Sequence, residues 1–107
     1  MRPYDIEHDH PYYWEVTQVT SHAMDAGEIQ GPRDVVDFIQ KEPKALNAVH
    51  SWPVVEWRAK DDDGDVYAYG KLYGKDVHGF EPLDDYFGPA YGCTTIDHKE
   101  NGLWEML

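Results

Sequence analysis

The sequence predicts an α+β fold, a mostly antiparallel sheet of about five strands with one main helix packed on one face. Three observations carry that prediction. Two runs rich in Val, Trp and Tyr, between Pro53 and Gly74, flank an Asp63-Gly64 turn, and a second pair flanks Asn101-Gly102; both dipeptides are strong hairpin signals. Between Pro32 and Lys41 the apolar residues instead recur at helical spacing.

In chain order, residues 1–11 are polar and read as a lead-in to a single domain over 12–107. Tyr12 to Thr20 is rich in aromatic and β-branched residues and reads as a first strand. Its alternation is imperfect. Trp14 and Val16 share a face with Gln18, while Tyr13 and Val19 share the other with Glu15 and Thr17, as suits a strand partly covered on both sides. Ser21 to Gly31 reads equally as a bent strand or a loop. Gly31 then stands at an N-cap, Pro32 at the first helical position, and Asp34 near the positive end of the helix dipole. Val35, Val36, Phe38 and Ile39 form a stripe opposite Arg33, Asp37, Gln40 and Lys41, and Pro43 stops the helix. Lys44 to His50 adds a short turn with Leu46 and Val49 inward.

The register of the central hairpin can be argued. A two-residue turn at Asp63-Gly64 sets Trp57 opposite Gly70, Val55 opposite Leu72 and Glu56 opposite Lys71. One face then holds Val55, Trp57, Ala59, Val66, Ala68, Gly70 and Leu72; the other holds Glu56, Arg58, Lys60, Tyr67, Tyr69, Lys71 and Tyr73. A slip by one residue would mix these sets, so the pattern defends one register. Lys75 to Gly92 is the least regular stretch, and its aromatics suggest a packed Ω-like loop. Cys93 to Leu107 closes the chain as a hairpin with His98 opposite Glu105, Ile96 opposite Leu107 and Lys99 opposite Trp104.

Charge narrows function. The 21 acidic residues against 9 basic give a net −12, which argues against direct binding to nucleic acid or an anionic membrane. It fits a solubilising surface, adaptation to high salt, or a surface that engages a basic partner. The single cysteine, Cys93, excludes an intramolecular disulfide and a Cys-based metal framework. With no apolar leader and no spanning run, the expected location is cytoplasmic.

No catalytic residue, metal site or cofactor is assigned. The run Glu7, His8, Asp9, His10 could begin a metal site and reads more simply as a solvated tail. Asp61, Asp63 and Asp65 alternate like early calcium ligands, but Gly64 comes too soon and Leu72 stands where the bidentate Glu belongs. His98 with Glu105 reads as a cross-strand pair, and Cys93 lies five residues from His98, on the opposite face of a regular strand.

The candidate partner-binding residues are the hairpin tip (Asp61, Asp62, Asp63, Asp65), the tyrosine face (Tyr67, Tyr69, Tyr73) and the aromatic loop (Phe80, Asp84, Asp85, Tyr86, Phe87, with Tyr91). Exposed tyrosines give large contact area at low entropic cost. The alternative for the loop is that it folds over the tyrosines as a second small core. The leading expectation is a small acidic, non-enzymatic binding protein with a protein partner; Trp104, Met106 and Leu107 offer an edge strand for a homodimer. The alternatives are a nucleic-acid mimic that blocks a basic DNA-binding protein, and a small enzyme or metal protein using His8, His10, His98 or Glu105.

The stretch VTQVTSHAMDAGEIQGPRDVVDFI, Val16 to Ile39, in its acidic Trp- and Tyr-rich setting, resembles small accessory proteins of unknown function encoded by actinobacteriophages. The resemblance implies a protein of the host cytoplasm that binds a host or phage macromolecule, and it transfers no catalytic residues.

Overall fold

The computed structural model describes residues 12–74 and 77–107; the Glu7 to His10 run lies outside them. The strands are β1 (Tyr12–Val19), β2 (Gln30–Gly31), β3 (Val54–Lys60), β4 (Val66–Gly74), β5 (Thr95–Glu100) and β6 (Leu103–Met106). They form one antiparallel sheet in the order β2-β1-β4-β3-β5-β6. The helices are α1 (Arg33–Lys41), α2 (Ala45–His50) and a short α3 (Gly88–Tyr91), which continues a π-helical stretch over Leu83–Phe87. The α+β class stands, with six strands instead of five and two main helices instead of one. The sixth strand is the two-residue β2, too short to be announced by alternation.

The strand registers are as read from the sequence, but the central tip is not the expected two-residue turn: Asp61 donates its N–H to the Asp65 carbonyl at 3.2 Å across a loop of Asp62, Asp63 and Gly64, and a bulge beside Lys60 restores the register. Trp57 pairs with Gly70, Val55 with Leu72 and Glu56 with Lys71; His98 pairs with Glu105 and Lys99 with Trp104. Asn101 (φ 52°) and Gly102 (φ 81°) make the tight turn that favours these residue types. Two bulges change which face some side chains take. One at Thr17 shifts β1 so that Gln18 pairs with Tyr69 and Val19 with Ala68, which brings Val19 onto the face of Trp14 and Val16. The mixed alternation of β1 thereby becomes a clean one. The other sets Lys60 against Val66, one residue earlier than expected.

Two cores result, one on each side of the sheet. The first gathers Trp14, Trp57, Ala59, Ala68, Leu72 and Ile96 under Leu83, Phe87 and Cys93. The Trp14 and Trp57 rings meet edge-on at 6.0 Å, and Phe87 lies 5.6 Å from Trp57. The second joins Tyr13 and Tyr73 to Val35, Val49 and Trp52. The main helices thus cover the tyrosine side. The sequence does not say which face the main helix would cover; the Val/Trp face is covered instead by the Leu83–Tyr91 segment. Amphipathicity gives a helix a buried stripe without saying which sheet face it meets.

Helix α1 starts one residue later than expected, with Pro32 in extended conformation at the cap (φ −71°, ψ 162°) and Gly31 in β2. The supposed Ω-loop is helical for local reasons. The Glu81 carboxylate accepts the His78 and Gly79 N–H groups at 3.1 and 2.9 Å, closing the chain into the first turn. Gly92, left-handed at φ 73°, ends it by donating its N–H to the Gly88 carbonyl at 2.8 Å. Among the described residues no helix is long and apolar enough to cross a membrane.

Candidate functional site

The hairpin tip is built on Asp61. Its Oδ1 accepts the N–H groups of Asp63 (2.9 Å) and Asp65 (3.0 Å), and its Oδ2 accepts the Tyr67 hydroxyl at 3.2 Å. Burial alone would raise this carboxyl; the hydrogen bonds from Asp65, Tyr67 and Asp63 outweigh it and hold Asp61 below the usual carboxylate range. The Asp61, Asp63 and Asp65 carboxylates come within 4.8 Å of one another, but Asp61 is spent on forming the turn. Asp62 accepts the Thr94 hydroxyl at 2.6 Å. The tip is thus largely an internal brace, with Asp63 and Asp65 exposed.

The three tyrosines do not form one face. The bulge turns Tyr67 onto the first core, where it stacks on His22 at 4.9 Å and meets Tyr91 at 5.8 Å. Tyr73 is buried beneath the helices and donates to Glu15 Oε2 at 3.1 Å; its hydroxyl is pushed up to about 12 by burial and by the charge of Glu15. Tyr69 alone stays on the uncovered part of that side, 5.9 Å from Trp104. There Arg58 lies over the Trp104 ring at 4.5 Å and Lys99 at 5.6 Å. Beneath them Asp97, 2 % exposed, receives Arg58 Nε at 2.7 Å and Lys60 Nζ at 3.0 Å. This cluster is a roofed buried ion triad, which explains its cations without a ligand. At the expected dimer seam Trp104 is turned into this roof, and Leu103, Met106 and Leu107 are the exposed apolar groups.

The third set divides. Phe87 is fully buried in the first core and does not offer itself to a partner as expected, while Phe80 is half-buried and packs against that core. Asp84 and Asp85 are exposed, and Tyr86 is half-buried. Asp85 and Tyr86 help line a cleft of about 350 Å³ with Trp14, Ile29, Gln30, Gly31, Pro32 and Arg33. Asp85 Oδ2 accepts the Trp14 indole Nε1–H at 2.9 Å and the Tyr12 hydroxyl at 3.0 Å. Burial first, then the Asp85 charge, raise the Tyr12 hydroxyl far above its usual range. The Trp14 and Tyr86 rings lie 6.5 Å apart, inclined at 41°. Gly31 permits this wall: a Cβ there would stand 2.6 Å from the Trp14 ring. On the far lip Arg33 is held toward Asp37 at 3.5 Å. The cleft therefore pairs a positioned carboxylate with aromatic surface, and its volume lies at the lower end of the roughly 300–1,000 Å³ typical of ligand sites.

No family model, curated protein or solved structure matches the chain.

Of the other sequence candidates, Cys93 is buried, its thiol pushed up to about 11 by burial and by Asp61, a poor nucleophile. His98 pairs in register with Glu105, and its Nε2 lies 3.2 Å from the Gly79 carbonyl oxygen. Sequence reasoning missed Tyr12, Trp14, Gly31 and Arg33 as site residues. Trp14 and Asp85 are 71 positions apart, so no spacing rule connects them.

Proposed function

We propose that this chain is a small acidic binding protein, without catalytic activity, that engages another protein in the cytoplasm through the Asp85 cleft and the Asp84 carboxylate beside it. One observation carries the reading: an exposed carboxylate is fixed by Tyr12 and Trp14 at the mouth of an aromatic-walled cleft. Such a group is orientated before any partner arrives, which lowers the ordering cost of association. The net charge of −12 favours approach of a basic surface. The likeness of Val16 to Ile39 to actinobacteriophage accessory proteins suits a host or phage protein as partner.

Affinity capture with the full chain as bait, from an actinobacterial host lysate, tests this. The expected result is a partner held by the wild type, released by about 0.5 M salt, lost from the double variant Asp84→Lys/Asp85→Lys and kept by Asp63→Lys/Asp65→Lys. Loss from the tip variant alone would move the site to the tip, and capture of nothing by the wild type would refute the reading.

A further inference from the structure

We propose that the Asp85 cleft accepts a lysine-type ammonium in preference to a guanidinium, so that the partner's anchor is a lysine side chain. This rests on the protein-binding reading above and supplies its chemistry. An ionised carboxylate offers about four lone-pair positions, two on each oxygen. On Asp85 the two of Oδ2 are taken by the Tyr12 hydroxyl at 3.0 Å and the Trp14 Nε1–H at 2.9 Å. Oδ1 is the oxygen left for a ligand.

A guanidinium gains its advantage over an ammonium by binding both oxygens of a carboxylate through two parallel hydrogen bonds. With Oδ2 already saturated, Asp85 cannot meet that fork, and arginine keeps only a single-oxygen contact. An ammonium is a compact charge that needs one acceptor. It also gains from an aromatic face, and the half-buried Tyr86 provides one beside Asp85, while Trp14, 1 % exposed, contributes its indole N–H to Asp85 and its ring to the core. Ile29 and Pro32 supply apolar wall for the aliphatic stem. Among the described residues that line the cleft, Arg33 is the one cation, and it is drawn to Asp37.

NMR titration of the full chain tests the assignment, following the Trp14 indole N–H signal with four blocked amino acids as probes: Nα-acetyl methylamides of lysine, trimethyl-lysine, arginine and norleucine. The lysine probe is expected to shift that signal and to bind several-fold tighter than the arginine probe, with norleucine inert. Asp85→Asn retains an acceptor for Tyr12 and Trp14 but loses the charge, and should weaken lysine about tenfold. Tyr86→Ala, which leaves the carboxylate in place, should weaken both ammonium probes by several-fold. Arginine binding as tightly as lysine, norleucine binding comparably, or lysine binding unchanged in Asp85→Asn would overturn the proposal. The two readings separate. A captured partner held equally by wild type and Asp85→Asn overturns the lysine cleft and leaves protein binding standing. The expected titration with no captured partner supports the cleft and removes protein binding.

Discussion

Replacing Gly70 by alanine should destabilise the protein severely, because the position is closed from two sides. A Cβ there would stand 2.1 Å from the Glu15 carbonyl oxygen and 2.4 Å from the Trp57 ring. Comfortable contact is about 3.5–4.0 Å, so β1 would have to retreat by more than about 1 Å or Trp57 would have to leave the core. Neither yields easily: β1 is tied to β4 on both sides of this point, and Trp57 is fully buried. Overpacking of this kind costs roughly 1–3 kcal/mol, occasionally more. With a backbone atom as one obstruction we place Gly70→Ala near about 3 kcal/mol. That exceeds the roughly 0.5–1 kcal/mol an alanine gains over glycine in a strand. The midpoint of thermal unfolding should fall by roughly 12–24 °C. Gly27→Ala is the internal control. Gly27 has φ −62° and nothing within 4 Å of its Cβ position, so alanine there should stabilise by about 0.4–1 kcal/mol. Urea unfolding followed by circular dichroism measures both. A Gly70→Ala variant within about 1 kcal/mol of the wild type would refute the account of how β1, β4 and Trp57 fit together.

Asp97→Ala should cost about 3–5 kcal/mol, because it leaves Arg58 and Lys60 without their shared buried counter-charge. Burial pushes the Asp97 carboxyl up, and the hydrogen bonds from Arg58 and Lys60 push it further down, below its usual value. Its contribution is therefore fully present above the unfolded value of about 3.9 and is lost as pH falls through the lower folded one. In acid unfolding series the gap between the wild type and Asp97→Asn should narrow as pH falls below the unfolded carboxyl value of about 3.9; a constant gap would count against the ion triad. Cys93, with its thiol at about 11, should react with a thiol reagent at about pH 8 roughly two orders of magnitude more slowly in the native protein than in denaturant. Equal rates would contradict its burial.

What the sequence could disclose followed the reach of local rules. The alternating residues determine register over a few positions, and the pairings of Val55, Glu56 and Trp57 and of His98 and Lys99 stand; the Asn101-Gly102 turn is as expected, while the central tip closes at Asp61 and Asp65 and a bulge makes up the difference. The bulges at Thr17 and near Lys60 carry no Gly or Pro to mark them, yet one moved Tyr67 to the opposite side of the sheet and the other rescued Val19 for the core. The Leu83–Tyr91 helix begins on a carboxylate reaching back to His78 and Gly79 and holds a π-stretch, a pattern without a simple periodicity. Half of the cleft, Asp85 and Tyr86, was legible as acidic and aromatic residues in an irregular segment. Its other half sits on β1, β2 and the start of α1, brought there by strand order.

That strand order has a consequence during synthesis. β1 is made early, but its long-side neighbour is β4, and Trp14 lies across from Leu72. At about 5–20 residues per second, roughly 3–12 s separate the emergence of the two. Through that interval Trp14, Val16 and Val19 belong to a strand with an unsatisfied edge, and the β3–β4 hairpin must close before it can offer a place. Aromatic strands left waiting are prone to pair with other chains. The heavy negative charge, read above as an attribute of the finished surface, then also serves the nascent chain, keeping neighbouring copies apart until the sheet is complete.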